Sequence, residues 1–194
     1  LNILVEKEHF IFYQDFLYKS ECSFLKEKLK DIPWRQVRYN KQGRGEIVTP
    51  RETWVSGGFT FVKNPHPPWI LPLLNLMQTY FNTDFNYILY SKYCSPTHSI
   101  SPHSDDEFFL GHQPKIAILN IGDSINFNLI NKISKDKDLC HFTNGDVILL
   151  QNNCQQDYFH SIKKDKKFIG KTRYSMSFRK VIHPYGDSNY NKYN

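Results

Sequence analysis

Long apolar runs are missing from this 194-residue chain. No stretch approaches the ~20 residues that a membrane-spanning helix needs. No secretory signal is visible, and the chain opens at Leu1, which suggests a trimmed chain or a domain cut from something longer. Cysteine is scarce: Cys22, Cys94, Cys140 and Cys154 are scattered and form no C-x-x-C pair. That pattern disfavours a zinc finger, and the missing leader disfavours a disulfide framework. The expectation is reduced, mostly structural thiols in an intracellular protein of the cytoplasm or nucleus. Repeats and long linkers are lacking too, so a single domain is expected over residues 1–194.

Aromatic residues are abundant, with 12 Tyr and 15 Phe, and 40% of the chain is hydrophobic. A chain of this size and composition can bury a real core. Its net charge of +6 favours polyanionic partners.

The stretch "SECSFLKEKLKDI" reads as a helix, with Ser20 available as its cap and Leu25, Leu29 and Ile32 on one face. The Gly-rich, basic segment from Trp34 to Phe61 follows, with short alternating pieces that suggest a hairpin. In "PPWILPLLNLMQTYF", Pro67 and Pro68 suit a first helical turn, and Ile70, Leu73, Leu74, Met77 and Phe81 form a stripe. From Phe85 the period changes to two. Six strands are expected, in "FNYILYSKY", "KIAILNI", "INFNLI", "GDVILLQ", "DYFHSI" and "TRYSMSFRKVI". Helices first and strands afterwards imply an α+β fold, a double-stranded β-helix or jelly roll with helices packed outside. The expected organisation is an N-terminal helix and basic lid over about 1–66, a helix plus jelly-roll core over about 67–182, and a tail at 183–194.

Within "PHSDDE", His103 and Asp105 stand two residues apart. A solvated acidic loop would have the same appearance. His160 lies in a strand between aromatic residues, where the ordinary reading is a hydrogen-bonded core histidine. On the strand "RYSMSFR", Arg173, Ser175, Ser177 and Arg179 share one face, and Tyr174, Met176 and Phe178 the other. The apolar face must then pack on the outer helices, which leaves a polar lumen between two arginines about 20 Å apart along the strand at about 3.3 Å per residue. Buried guanidiniums need anionic partners. Two imidazoles and one carboxylate (His103, Asp105, His160) make a set that leaves open positions on non-haem Fe(II). A zinc hydrolase could use the same three ligands, but it leaves the two arginines unexplained.

This order, H-x-D, then H, then R-x-x-x-x-x-R, resembles the signature of the AlkB family of Fe(II)/2-oxoglutarate dioxygenases, which remove N-alkyl groups from nucleic acid bases. "HSDDE", "TPRETWVSGG" and "NPHPPWILPLL" are similar to the family's local versions, and the resemblance covers about Pro50 to Val181. It implies that His103, Asp105 and His160 hold iron and carry catalysis, together with O2. It also implies that Arg173 binds the distal carboxylate of 2-oxoglutarate, that Arg179 lies near Asp105, and that Tyr93 hydrogen-bonds the cosubstrate. Asp106 would approach the damaged base, on which His103 would also stack. Glu107 would lie behind the metal or touch the lid, and Trp54 or Phe61 would offer the opposing stacking face. The basic tip of the lid, with Arg38, Tyr39, Lys41 and Arg44, would track phosphates and stack on a single strand. Two positions depart from the family pattern: Ser91 and Ser175 stand where asparagine is common, and these shorter donors imply weaker cosubstrate contacts or a bridging water.

The implied activity is demethylation of bases such as N1-methyladenine and N3-methylcytosine in DNA or RNA. Formaldehyde, succinate and CO2 are released, and a monomer prefers single strands. Compact members of this kind also occur as domains of viral replicases, which would place the chain in host cytoplasm. Two other readings stay open: the same chemistry on a protein or small molecule, which the basic lid disfavours, and a non-catalytic nucleic-acid-binding domain.

Overall fold

Residues with a two-residue apolar period build two facing antiparallel sheets in a computed structural model, which describes residues 2–40, 46–58 and 64–182. The chain starts with β1 (Asn2–Glu6), β2 (Phe10–Gln14) and α1 (Lys19–Lys30). The basic hairpin of β3 (Arg38–Asn40) and β4 (Glu46–Val48) follows, then β5 (Glu52–Gly57). A 3-10 turn at Pro68–Ile70 leads into α2 (Leu71–Phe81). Then come β6 (Tyr87–Tyr93), β7 (Ile100–His103), β8 (Ile116–Gly122) and β9 (Ile125–Asn131). The remainder is β10 (Lys137–Phe142), β11 (Val147–Leu150), the one-turn α3 (Cys154–Asp157), β12 (Tyr158–Ile162) and β13 (Arg173–Arg179).

The large sheet has the order β1-β2-β11-β8-β13-β6-β5, and the small one β10-β9-β12-β7. This is a jelly roll with its helices outside. Alternation decides which side each residue takes. On β13, Tyr174, Met176 and Phe178 join α1 and α2 in the outer core, while Arg173, Ser175, Ser177 and Arg179 face inward. All five apolar residues of the second helical stripe are buried, and Met77 is fully so, which contributes about 1.5–3 kcal/mol for such a side chain. Between the sheets, Phe142 stacks on Phe12 at 5.0 Å and on Phe127 at 5.2 Å, tying the large sheet to the small one.

All six expected strands are present, and the basic segment does contain a hairpin, although its tip at 41–45 lies outside the described residues. Three expectations need correction. Helices do not come first: β1 and β2 precede α1, and β2 pairs with β11 because its alternation suits both cores, Phe10 and Phe12 inside and Tyr13 outside. Ser20 is not the cap of α1. The helix begins at Lys19, and the extended Tyr18 caps it, its N–H donating to Glu21 Oε2 at 2.8 Å. β7 and β10 are further strands; β7 contains Pro102 and accordingly lies at a sheet edge. The four cysteines are free, three of them buried and Cys94 exposed. Among the described residues no helix is long and apolar enough to cross a membrane.

Candidate active site

β7 and β12 are antiparallel neighbours in a register that sets His103 directly opposite His160, with ring centroids 4.1 Å apart. The chain leaves β7 at His103, and the loop beyond it is pinned to α3 and β12. Asp105 N–H donates to Gln155 Oε1 at 2.8 Å, and Ser104 Oγ donates to the Tyr158 carbonyl at 3.0 Å. The carboxylate is thereby turned back between the imidazoles. Its oxygens stand 3.7 Å from His103 Nε2 and 3.6 Å from His160 Nε2. One donor atom from each of the three residues lies within 4.8 Å of the others. His103 Nδ1 donates to the Ser101 carbonyl at 2.9 Å, so its Nε2 carries the lone pair that faces the cluster. Phe127 stacks on His160 at 5.6 Å and 17°.

By distance alone, His160 and Asp105 could be an ion pair. Burial decides otherwise: it pushes the His160 imidazole down to about 3, more than the Asp105 charge restores, so the ring is neutral at pH 7. Burial would push the Asp105 carboxyl up, but Arg179, whose Nη2 donates to Asp105 Oδ2 at 3.0 Å, leads the charges that hold it below its ordinary value. A carboxylate and imidazole lone pairs therefore converge around one point, and a divalent cation is what such a donor set fits.

Arg173 is fully buried at the other end of β13. Its Nε donates to Asn120 Oδ1, and its guanidinium carbon lies 4.7 Å over the Tyr93 ring. Nη1 and Nη2 have no hydrogen-bond partner among the described residues. Burial lowers the pKa of this group, against the opposing pull of Tyr93. A buried, half-satisfied guanidinium is costly unless an anion completes it. The cleft beside Arg179 is lined by Ser91, Tyr93, Ser175 and Ser177 from the large sheet, by His103 and His160 from the small one and by Asp105 from the loop after β7. A larger cavity of about 460 Å³ lies between α1 and α2, lined by Phe24, Trp69 and Leu76, but among the described residues no cluster of metal-ligating groups adjoins it. The chemistry points to the smaller cleft.

The other expected site residues are placed less evenly. Asp106 is exposed. Glu107 is the acid that turns inward: one carboxylate oxygen is buried without a partner, and burial, then the Asp105 charge, raises its pKa against the pull of Arg179. Trp54 lies on the helix-facing side of the large sheet, 5.1 Å from the Tyr90 ring and packed against the outer core, so it does not reach the cleft. Arg38 and Tyr39 belong to β3. Lys41, Arg44 and Phe61 lie outside the described residues. Three residues that the sequence did not single out support the site: Arg51 lines the cleft, Asn120 holds Arg173 and Gln155 holds the Asp105 backbone. Only Asn120 left a signal, as the polar residue inside the apolar strand "IAILNIG".

No family model matches the chain. Sequence relatives do. The Mus musculus protein "Alpha-ketoglutarate-dependent dioxygenase alkB homolog 3" is 28% identical over 191 residues, covering 87% of this chain and 65% of that protein. The Arabidopsis thaliana "DNA oxidative demethylase ALKBH2" is 25% identical over 209 residues, covering 89% of this chain and 66% of that protein. The chain thus spans just under two thirds of the length of these relatives. Among solved structures, "The structure of OsALKBH1" matches with a TM-score of 0.62 at 14% identity, over 91% of this chain and all of that one; this likeness concerns the fold.

Proposed function

We propose that this chain, a relative of the AlkB dioxygenases, is an Fe(II)/2-oxoglutarate-dependent oxygenase that demethylates N-alkylated bases in nucleic acid. One observation carries the reading: a His103, Asp105, His160 donor set shares a cleft with Tyr93, and over the Tyr93 ring lies the buried guanidinium of Arg173, whose two terminal nitrogens lack a hydrogen-bond partner among the described residues. A metal hydrolase needs the first feature and has no use for the second.

His103 Nε2, His160 Nε2 and an Asp105 oxygen would hold the iron. The chemistry such a centre supplies, when loaded with 2-oxoglutarate and dioxygen, is hydroxylation of an N-methyl group coupled to release of CO2 and succinate. The chain's own part is binding and orientation. Arg173 offers two N–H groups to the distal carboxylate of the cosubstrate. Tyr93 packs under that guanidinium, and Arg179 keeps Asp105 ionised. Leu89, Ile118 and Ile162 narrow the cleft with apolar surface, which limits water. Glu107, inward and with its pKa raised by burial, is the acid best placed to meet a base; Asp106 faces solvent.

Nucleic acid is favoured over a protein or small molecule by the net charge of +6 and by the basic hairpin of β3 and β4, entered just after Arg35, whose backbone pairs with Thr53 of the edge strand β5. The hydroxylated group then leaves as formaldehyde, and lesions such as N1-methyladenine and N3-methylcytosine suit a flipped-base pocket. The test is release of formaldehyde and succinate from methylated oligonucleotides with Fe(II) and 2-oxoglutarate. Succinate released without formaldehyde, with every methylated oligonucleotide tried, would move the substrate to another class.

A further inference from the structure

One polar row crosses the large sheet at the level of the cleft. Thr53 on β5, Ser91 on β6, Ser175 on β13 and Asn120 on β8 are successive register partners. The two serines of this row stop at a hydroxyl. Asn120 alone brings an amide, and each end of that amide is engaged: Nδ2 donates to the Thr143 carbonyl at 2.7 Å, and Oδ1 accepts from Arg173 Nε. Its backbone is fixed as well, with N–H donating to the Asp146 carbonyl at 2.9 Å and its own carbonyl accepting from Gly145 N–H at 2.8 Å. Asn120 is completely buried and cannot swing away.

The guanidinium it holds therefore has one donor committed to Asn120 and one face covered by Tyr93. Only the edge formed by Nη1 and Nη2 remains to take an anion. We infer that Asn120 is a positioning residue. It sets the rotation of Arg173 so that this edge meets the distal carboxylate of 2-oxoglutarate, an inference that rests on the function proposed above. Neither Ser91 nor Ser175 does this job: neither hydroxyl bonds Arg173 in the structure. Ser175 stands directly opposite Asn120 and two residues from Arg173 on the same face, so an amide there could reach the same guanidinium from the neighbouring strand.

The experiment titrates 2-oxoglutarate calorimetrically into Mn(II)-loaded protein, beside thermal melting and steady-state kinetics. Asn120→Ser should weaken 2-oxoglutarate binding about tenfold, the size of one lost hydrogen bond to a charged group. Its KM should rise, while kcat at saturating cosubstrate is retained. Adding Ser175→Asn should restore much of the affinity. Asn120→Asp keeps the size and the acceptor for Arg173 Nε, offsets the guanidinium's charge and loses the donor to the Thr143 carbonyl; it should also lose affinity, with its melting point reporting the cost to the fold, so that two variants carry the test. Wild-type affinity in both single variants overturns the inference, as does a fall in kcat with unchanged KM. Failure of the unmodified protein to bind 2-oxoglutarate at all defeats the proposed function itself, and Arg173→Lys in the same titration marks that difference.

Discussion

Arg179 reaches from the large sheet to the loop that follows β7 and donates to Asp105 Oδ2 at 3.0 Å, both side chains buried. Substituting methionine for it would leave the carboxylate buried without its cation, a loss of about 3–5 kcal/mol for a broken buried pair. The sign of the pH effect follows. Asp105 is held below its ordinary value in the folded protein, so its stabilisation is present above that value and is lost as pH falls through the folded one. Without Arg179 the largest charge opposing burial is gone and the folded value rises, moving the loss to higher pH. Mn(II) affinity measured across pH should show the Arg179→Met curve displaced upward; an unmoved curve contradicts the assigned role.

His103→Ala, Asp105→Ala and His160→Ala should each abolish turnover and metal binding while leaving the circular dichroism spectrum in place. His160 adds a second readout in metal-free protein. Its folded pKa is lowered from 6.5 to about 3, so neutral burial stabilises the fold above pH 6.5 and that contribution falls away as pH drops toward 3. His160→Gln should therefore lose less stability between pH 6.5 and 4 than the unmodified chain, as urea midpoints will report. Near wild-type demethylation by Asp105→Ala would remove the iron assignment.

Arg173→Lys should raise the KM for 2-oxoglutarate sharply and leave oligonucleotide affinity almost untouched. A point charge does not reproduce a planar fork, and an ammonium cannot both satisfy Asn120 and present two parallel donors. An unchanged KM would relocate the carboxylate site.

Single-stranded substrate should be preferred to intact duplex. Extruding a base from a duplex costs a few kcal/mol, and the hairpin tip carries basic residues where a wedge would need apolar ones. Turnover of one methylated oligonucleotide, free and annealed at fixed salt, decides the matter; equal rates would count against the idea. Neutralising Lys41 and Arg44 should weaken binding and flatten the salt dependence by about one unit for each phosphate that the chain then leaves to its counterions.

Much of this was legible in the residues, for identifiable reasons. A period of two marks β13, continuous short apolar runs mark β8 and β11 as strands covered on both faces, and the ligand types at His103, Asp105 and His160 are those the metal requires. The supporting hydrogen bonds were hidden because they join distant segments. Gln155 meets Asp105 across 50 positions, and Asn120 meets Arg173 across 53. Trp54, one of the two candidates for the stacking face, packs on the outer core; "ETWVSG" does not show which face is inner, and only its register against Tyr90 decides. β7 escaped because it is short and carries a proline, and pairing with β12 is what makes it a strand.

All seven residues of β13 are buried, four toward the cleft and three toward the helices. The outer packing and the polar inner face are thus written in alternate letters of one heptapeptide. Sequence drift has no silent direction there: a change at an odd-numbered position alters the polar face turned inward, and a change at an even-numbered one alters the packing against the outer core. A one-residue slip of the strand would exchange the two sets, setting both guanidiniums toward the apolar outer core and taking them away from the cleft. Folding errors in this strand should therefore surface as insoluble protein and never as a stable enzyme of altered specificity.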